Sequence, residues 1–319
     1  MISQLCPGVL KYWGLHLDPQ TIKNNIEKQV TKDLIRCNFT IQDFRNSRVI
    51  VDFSAEGHCD KIAEPFVKYL QSIPVQDLLV RYTACVDTTK LDYHAQCFPT
   101  FMIAHCDWLN LLQHIPYNRS VEKKFLCLMR RPSLSRSNIK DMLLDAKVDV
   151  RLSYSVQQGI GQDSIVIDGS TNRKTGISEH DQRNPLFHSC LFNLVVETGC
   201  QLDSDNWQSL FITEKTFKSF GLRQIPIWFA IPGIVNEVRK LGFDLFEDIV
   251  NHNYDNIQEE NLRFQTVVEQ VTQLDQTLTI LQCQTLRDSI EDRLNANFDL
   301  LVKLEHNTAN LIRHHKTFC

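Results

Sequence analysis

Apolar and polar residues alternate along this chain in two rhythms, and the switches between them mark its elements. Residues 49–53 (VIVDF) are a short, nearly unbroken apolar run that ends in a polar loop, the pattern of a buried strand. Residues 63–73 (AEPFVKYLQSI) then place apolar side chains at helical spacing. Residues 77–85 and 99–109 read as further strands. A polar stretch at 116–124 (PYNRSVEKK) is a candidate linker. The rhythm then restarts. A strand at 125–129 leads into a basic turn and a helix within 130–148, with Ser135 or Ser137 as its N-cap. Residues 148–155 form the next strand, and the polar, Gly-containing stretch 157–186 a loop or insertion. A strand at 191–198 follows, then a helix that Thr213 opens, a strand at 225–230 and a helix at 232–243. From about 256 the pattern is helical to the end, with nothing there that carries chemistry.

Strand, helix and strand in succession imply βαβ units and parallel sheets. The expected fold is therefore α/β, with two Rossmann-like domains facing a cleft and a helical C-terminal segment. The expected boundaries are 1–118, 119–256 and 257–319, and the chain's 319 residues suit two domains of roughly 150 each. Ligands of such sheets sit at the carboxyl ends of the strands, so the loops there are the places to search.

Composition narrows the function classes. A net charge of −4 gives no overall basic balance of the kind that nucleic-acid binding needs. The 11 cysteines include no CxxC pair, which argues against structural zinc and against a disulfide-stapled secreted scaffold. Free thiols in a reducing compartment, and hence a cytoplasmic location, are expected. The opening MISQLCPGVLKYWG lacks a basic region followed by an apolar core, so it does not read as a signal peptide. No stretch approaches the ~20 apolar residues that span a bilayer.

The strand-end loops of the second half are rich in charge. Arg130, Arg131 and Arg136 follow the strand at 125–129; Glu197 and Thr198 end the strand at 191–198; Glu214 and Lys215 come just before the next helix; Pro232 and Gly233 follow the strand at 225–230. Cations beside a helix N-terminus suit phosphate, through charge and backbone amides together. Carboxylates accept from sugar hydroxyls. Together they describe a nucleotide-sugar pocket, against the alternative of solvated loop charges. The adjacent Glu214–Lys215 pair poses its own question. Helix ion pairs form three or four residues apart, so the two are either unrelated surface charges or two groups reaching for one ligand.

These residues carry a resemblance. LFNLVVETG (191–199), followed by FITEKTFKSFGLRQIPIWFAIPG (211–233), resembles the donor-binding half of the alpha-1,3-fucosyltransferases and related GT-B glycosyltransferases. There a strand ending Phe-Glu-Asn is followed by Val-Thr-Glu-Lys, a helix, and a strand beginning near a proline; here the same order reads VVET, ITEK and IPIWF. FLCLMRRPSLSR (125–136) is similar to the family's first donor-domain strand and Arg-containing loop, and LGFDLFEDIVNHNYD (241–255) resembles the tail of related bacterial and viral transferases. The resemblance spans about residues 124–300 and leaves the N-terminal half unassigned. It implies that Glu214 contacts ribose or sugar hydroxyls, and that Lys215 and Arg136 bind the diphosphate and offset charge on the leaving nucleotide. That electrostatic role replaces a metal. Donor-binding candidates are thus Arg130, Arg131, Arg136, Glu197, Thr213, Glu214 and Lys215. Thr198 stands where the family has asparagine, so fucose itself does not carry over.

No cofactor or metal is expected beyond the nucleotide-diphosphate sugar acting as donor. The Asp203–Asp205 pair matches the Asp-x-Asp of metal-dependent transferases but sits in a turn-like LDSDNW, and Asp168 lies in a turn. An inverting transferase needs a general base from the acceptor half. Asp52 and Glu56 are the catalytic candidates, with His58 next and His105 and Asp107 in another strand-end stretch; a retaining enzyme requires no such base. The expected acceptor is a hydroxyl of a glycan or lipid-linked sugar. Hydroxylated bases of viral DNA come after it because the chain is net negative. The reading from a different class is a non-catalytic nucleotide-binding or scaffold protein with the same fold.

Overall fold

The computed structural model describes residues 2–6, 9–13, 19–53, 60–82, 84–85, 95–97, 120–129, 133–154, 185–197 and 210–314. They form a mixed α/β protein whose chain divides into two compact units. Unit 1 comprises Met1–Ala104, Leu202–Ile212 and Glu305–Cys319; unit 2 comprises His105–Gln201 and Thr213–Leu304. Most of the C-terminal helical stretch thus belongs to unit 2.

Unit 1 opens with β1 (Ile2–Cys6) and β2 (Val9–Trp13), followed by α1 (Pro19–Arg36), α2 (Ile41–Arg45) and β3 (Arg48–Phe53). Then come α3 (Asp60–Gln71), β4 (Asp77–Tyr82), β5 (Ala84–Cys85) and β6 (Ala95–Cys97). The five-stranded sheet has the order β1-β2-β3-β4-β6. Only the β1–β2 pair is antiparallel; β2, β3, β4 and β6 run parallel. β3 buries Val49 and Val51 while Ile50 between them is half-buried, so the strand turns alternate side chains to the core. Val30 and Leu34 of α1, Phe44 of α2, and Phe66, Val67 and Leu70 of α3 complete that core. Thr40 caps α2 in a reciprocal box with Asp43, whose carboxylate bonds the Thr40 amide at 2.8 Å. The run expected as one strand over 77–85 divides. β5 leaves the five-stranded sheet and pairs antiparallel with β10 (Leu210–Phe211). The strand expected over 99–109 lies outside the described residues.

Unit 2 contains β7 (Lys123–Met129), α4 (Leu134–Asp145), β8 (Val150–Tyr154), α5 (Pro185–His188) and β9 (Cys190–Val196). It continues with α6 (Glu214–Gly221), β11 (Ile225–Phe229) and α7 (Ile234–Lys240). A 3-10 turn at Asn253–Asn256 leads to α8 (Glu260–Thr277), α9 (Ile280–Ser289) and α10 (Glu291–His314). The sheet order is β11-β9-β7-β8, and each neighbouring pair is parallel. Every residue of β9 and β11 is buried, which explains sequences that are apolar but for Asn193 of β9, whose side-chain amide donates to Gln224 Oε1 at 2.8 Å. Phe125 and Phe192 stack on adjacent strands at 5.2 Å. β11 lies at the sheet edge, where an unpaired backbone invites foreign strands. Here the Tyr254 hydroxyl accepts the Trp228 amide N–H at 3.1 Å. No helix of the described residues is long and apolar enough to cross a membrane.

Among the described cysteines, Cys127 on β7 and Cys190 on β9 carry free thiols inside this sheet. Burial pushes both thiols up to about 12, against weaker lowering by Arg136 for Cys127 and by Arg151 for Cys190. They are packing groups, not nucleophiles. Native-state alkylation with iodoacetamide, mapped by mass spectrometry, is expected to leave Cys127 and Cys190 unmodified and to label both after denaturation. Labelling of either at the rate of a denatured thiol would show that the sheet is open.

Candidate functional site

The order β11-β9-β7-β8 contains one reversal. From β7 the chain passes outward to β8, and from β9 it passes outward the other way to β11. A crevice is expected between two such strands, at their carboxyl ends. The hydrogen-bonded register opens there. The last pair of the β7–β9 ladder is Cys127 with Leu194. The flanking ladders run two residues further, to Met129 with Tyr154 and to Val196 with Phe229. The β7–β9 pairing is thus shorter than its neighbours at the carboxyl end, where ligands of such sheets are expected.

Two longer helices begin beyond these strand ends. α4 starts after β7, capped by Ser133, whose hydroxyl accepts the Arg136 amide N–H at 3.3 Å. The cap is Ser133, not Ser135 or Ser137. Ser133 has the extended backbone that a cap requires, whereas Ser135 is already helical and buried. Arg136 is half-buried in the first turn of α4. Arg130 and Arg131, which follow β7 in sequence, lie outside the described residues.

α6 starts after Thr213, which caps it as expected, its side chain accepting from the Lys215 amide at 3.2 Å. Glu197, directly after β9, takes a different place from the one expected. Its carboxylate is buried, at 2% exposure, and holds the start of α6. One oxygen accepts from the Thr213 amide at 3.2 Å and from the Thr216 hydroxyl at 2.6 Å; the other accepts from the Thr213 hydroxyl. Its backbone N–H also extends the β11 pairing, donating to the Phe229 carbonyl at 3.1 Å. Both oxygens accept from the start of α6, so Glu197 braces that helix from the end of β9.

Glu214 and Lys215 pair with each other, at 3.3 Å between Nζ and Oε1. The rule that neighbours diverge holds in mid-helix. In the first turn, side chains lean back past the N-cap, where adjacent long ones can meet. Lys215 Nζ also donates to the Thr213 hydroxyl at 3.2 Å. Burial is the largest influence on the Glu214 carboxyl and opposes ionisation. Lys215, the Glu214 amide and Lys218 act the other way and hold it below the usual carboxylate range. The first turn of α6 thus presents a partly exposed ammonium and an ionised carboxylate together.

Sequence reasoning missed the polar contacts that tie β11 to α6 and that hold the end of β11 and the start of α7; Arg263 lies in the stretch set aside as carrying no chemistry and Asp255 just before it. Trp228 Nε1–H donates to the Thr216 hydroxyl at 3.0 Å. Arg263 of α8 is buried and donates from Nε to the Ala230 carbonyl and from Nη1 to the Ile257 carbonyl, both at 2.8 Å. Asp255 accepts the Val235 amide at 3.1 Å and its carbonyl accepts from Gly233, whose φ of 96° suits glycine. The run Asn251-His252-Asn253-Tyr254-Asp255-Asn256, directly after the apolar Ile249 and Val250, was the available signal. Asp52 lies on β3 of unit 1. Glu56, His58, His105, Asp107, Asp168, Thr198 and the Asp203–Asp205 pair lie outside the described residues.

The chain matches no protein-family model and no curated protein sequence.

His252 gives this support a pH dependence. Its Nε2 lies 2.9 Å from the Leu245 carbonyl, which can only accept, so Nε2 carries the proton and Nδ1 accepts from the Tyr254 hydroxyl at 2.9 Å. Burial, aided by Arg239, pulls the imidazole below its ordinary range, against weaker opposition from the Leu245 carbonyl and Glu247. A depressed folded value means that its contribution is present above about pH 6.5, the unfolded value, and is lost as pH falls below it. As pH falls below about 6.5, the melting temperature is expected to fall more steeply in the wild type than in His252→Gln. Equal slopes would show that His252 is already charged in the fold.

Proposed function

We propose that unit 2 binds the diphosphate of a nucleotide sugar at the crevice between β7 and β9, and that the protein is a metal-independent glycosyltransferase acting on a hydroxyl acceptor. The observation that carries the reading is Lys215 and Glu214 together in the first turn of the helix held by Glu197 at the carboxyl end of β9, beside the point where the β7–β9 pairing ends. An ammonium at a helix N-terminus adds its charge to the backbone amides and the helix dipole, which favours phosphate oxygens. Glu214, held ionised, accepts from ribose or sugar hydroxyls. The parallel sheet with its single reversal supports a Rossmann-like reading of this unit. The sequence resemblance to GT-B donor domains adds the reaction class, and under it unit 1 supplies the acceptor side, with Asp52 and Glu56 as base candidates.

The test is transfer or slow hydrolysis across a panel of uridine, guanosine, cytidine and adenosine diphosphate sugars, with and without a divalent-metal chelator. Turnover of one donor that survives chelation supports the proposal. Nucleotide binding without turnover of any donor favours a non-catalytic binding protein of the same fold.

A further inference from the structure

A hydrogen bond has a direction, and around α6 every direction is fixed by its neighbours. The Trp228 indole can only donate, so the Thr216 hydroxyl accepts from it at 3.0 Å and spends its own hydrogen on Glu197 at 2.6 Å. The Thr213 hydroxyl likewise gives its hydrogen to the second Glu197 oxygen. Its lone pairs then face Lys215, accepting from the backbone N–H and from Nζ, both at 3.2 Å. The chain Trp228–Thr216–Glu197–Thr213–Lys215 is thus a polarised relay from the buried strand β11 to the ammonium. Glu197, Thr213, Thr216 and Trp228 are all buried, so its members are held by packing as well as by each other.

We propose that Thr213 is a positioning residue: polarised by Glu197, it fixes the Lys215 ammonium in place before ligand arrives. The inference rests on the reading of Lys215 as a diphosphate-binding group. A lysine left to itself has a flexible four-carbon stem and loses rotamer freedom on binding. A tether of fixed polarity removes that cost in advance, the preorganisation that precise sites require. The roles differ. Lys215 touches the diphosphate; Thr213 acts through Lys215, and Trp228 acts through Thr216 and Glu197.

The experiment is a double-mutant cycle on nucleoside diphosphate affinity, using ADP, CDP, GDP and UDP by isothermal titration and continuing with whichever binds tightest. The variants are Thr213→Val, Lys215→Met, their combination, and Thr213→Ser, with melting temperatures measured for all. Lys215→Met is expected to weaken binding about 10- to 100-fold, the loss of one charge-assisted contact. Thr213→Val is expected to weaken it about threefold or more when Lys215 is present, and not at all in the Lys215→Met background, because its effect runs through the ammonium. Thr213→Ser keeps the hydroxyl and is expected to restore affinity even if its melting temperature stays low. A merely structural cap would lower the melting temperature in Thr213→Val and leave affinity intact, or weaken both backgrounds equally; either result overturns the positioning role while leaving the nucleotide site standing. Failure of the wild type to bind any of the four diphosphates overturns the site and this inference with it.

Discussion

Glu197→Ala is expected to destabilise the protein by about 3–5 kcal/mol, the range for breaking a buried hydrogen-bonded network. Three donors lose their acceptor at once: the Thr213 amide, the Thr213 hydroxyl and the Thr216 hydroxyl. All sit in the interior, where water cannot replace the carboxylate. Each stranded group costs roughly 1–3 kcal/mol, and the lost packing of the side chain adds to this. Glu197→Gln keeps the shape and one acceptor oxygen, so it is expected to cost only about 1–2 kcal/mol. The urea midpoint measures both. A ligand-binding carboxylate would behave in the opposite way, with near-normal stability and a large loss of activity in the glutamine variant. That pattern would return Glu197 to the ligand.

Lys215→Ala is the counterpart on the chemical side. If the ammonium stabilises charge on the departing nucleotide, its removal is expected to lower kcat about 10²- to 10³-fold, the usual effect of deleting one preorganised electrostatic contact. Stability is expected to change by less than about 1 kcal/mol, because the Lys215–Glu214 pair is partly exposed and such pairs contribute little. The two variants therefore separate: Glu197→Ala unfolds an intact chemistry, and Lys215→Ala removes chemistry from an intact fold. A Lys215→Ala protein with wild-type turnover would show that the ammonium is not part of the reaction.

The second half of the fold was open to reading because parallel strands buried on both faces leave almost wholly apolar runs. Residues 125–129, 191–196 and 225–229 are such runs, and the structure has strands there. The first 47 residues were not assigned. β1 and β2 are short and mix polar with apolar positions, and α1 (PQTIKNNIEKQVTKDLIR) shows its core face mainly through Ile26, Val30 and Leu34, spaced four apart. The site was half legible. Sequence placed Glu197, Glu214 and Lys215 near one end of one sheet. It could not say which carboxylate turns inward, because that depends on Thr213 returning from 15 intervening residues to meet Glu197. It also misjudged the neighbouring Glu-Lys pair, because spacing rules for helix interiors fail in the first turn, where both side chains lean beyond the cap. Trp228 and Arg263 look like ordinary core and helix residues in sequence; only the fold shows them holding the carboxyl ends of the strands.

Under the proposed function, Lys215 holds a nucleotide diphosphate at the carboxyl ends of β7 and β9. Thermal unfolding of the wild type and of Lys215→Ala, each with ADP, CDP, GDP or UDP, tests it most directly. A nucleotide present at about 100 times its dissociation constant should add about 2.7 kcal/mol of stability. A clear rise in melting temperature is expected with one of the four for the wild type, and a rise about halved or smaller at the same concentration for Lys215→Ala. No rise with any nucleotide, or an equal rise in both proteins, would contradict it.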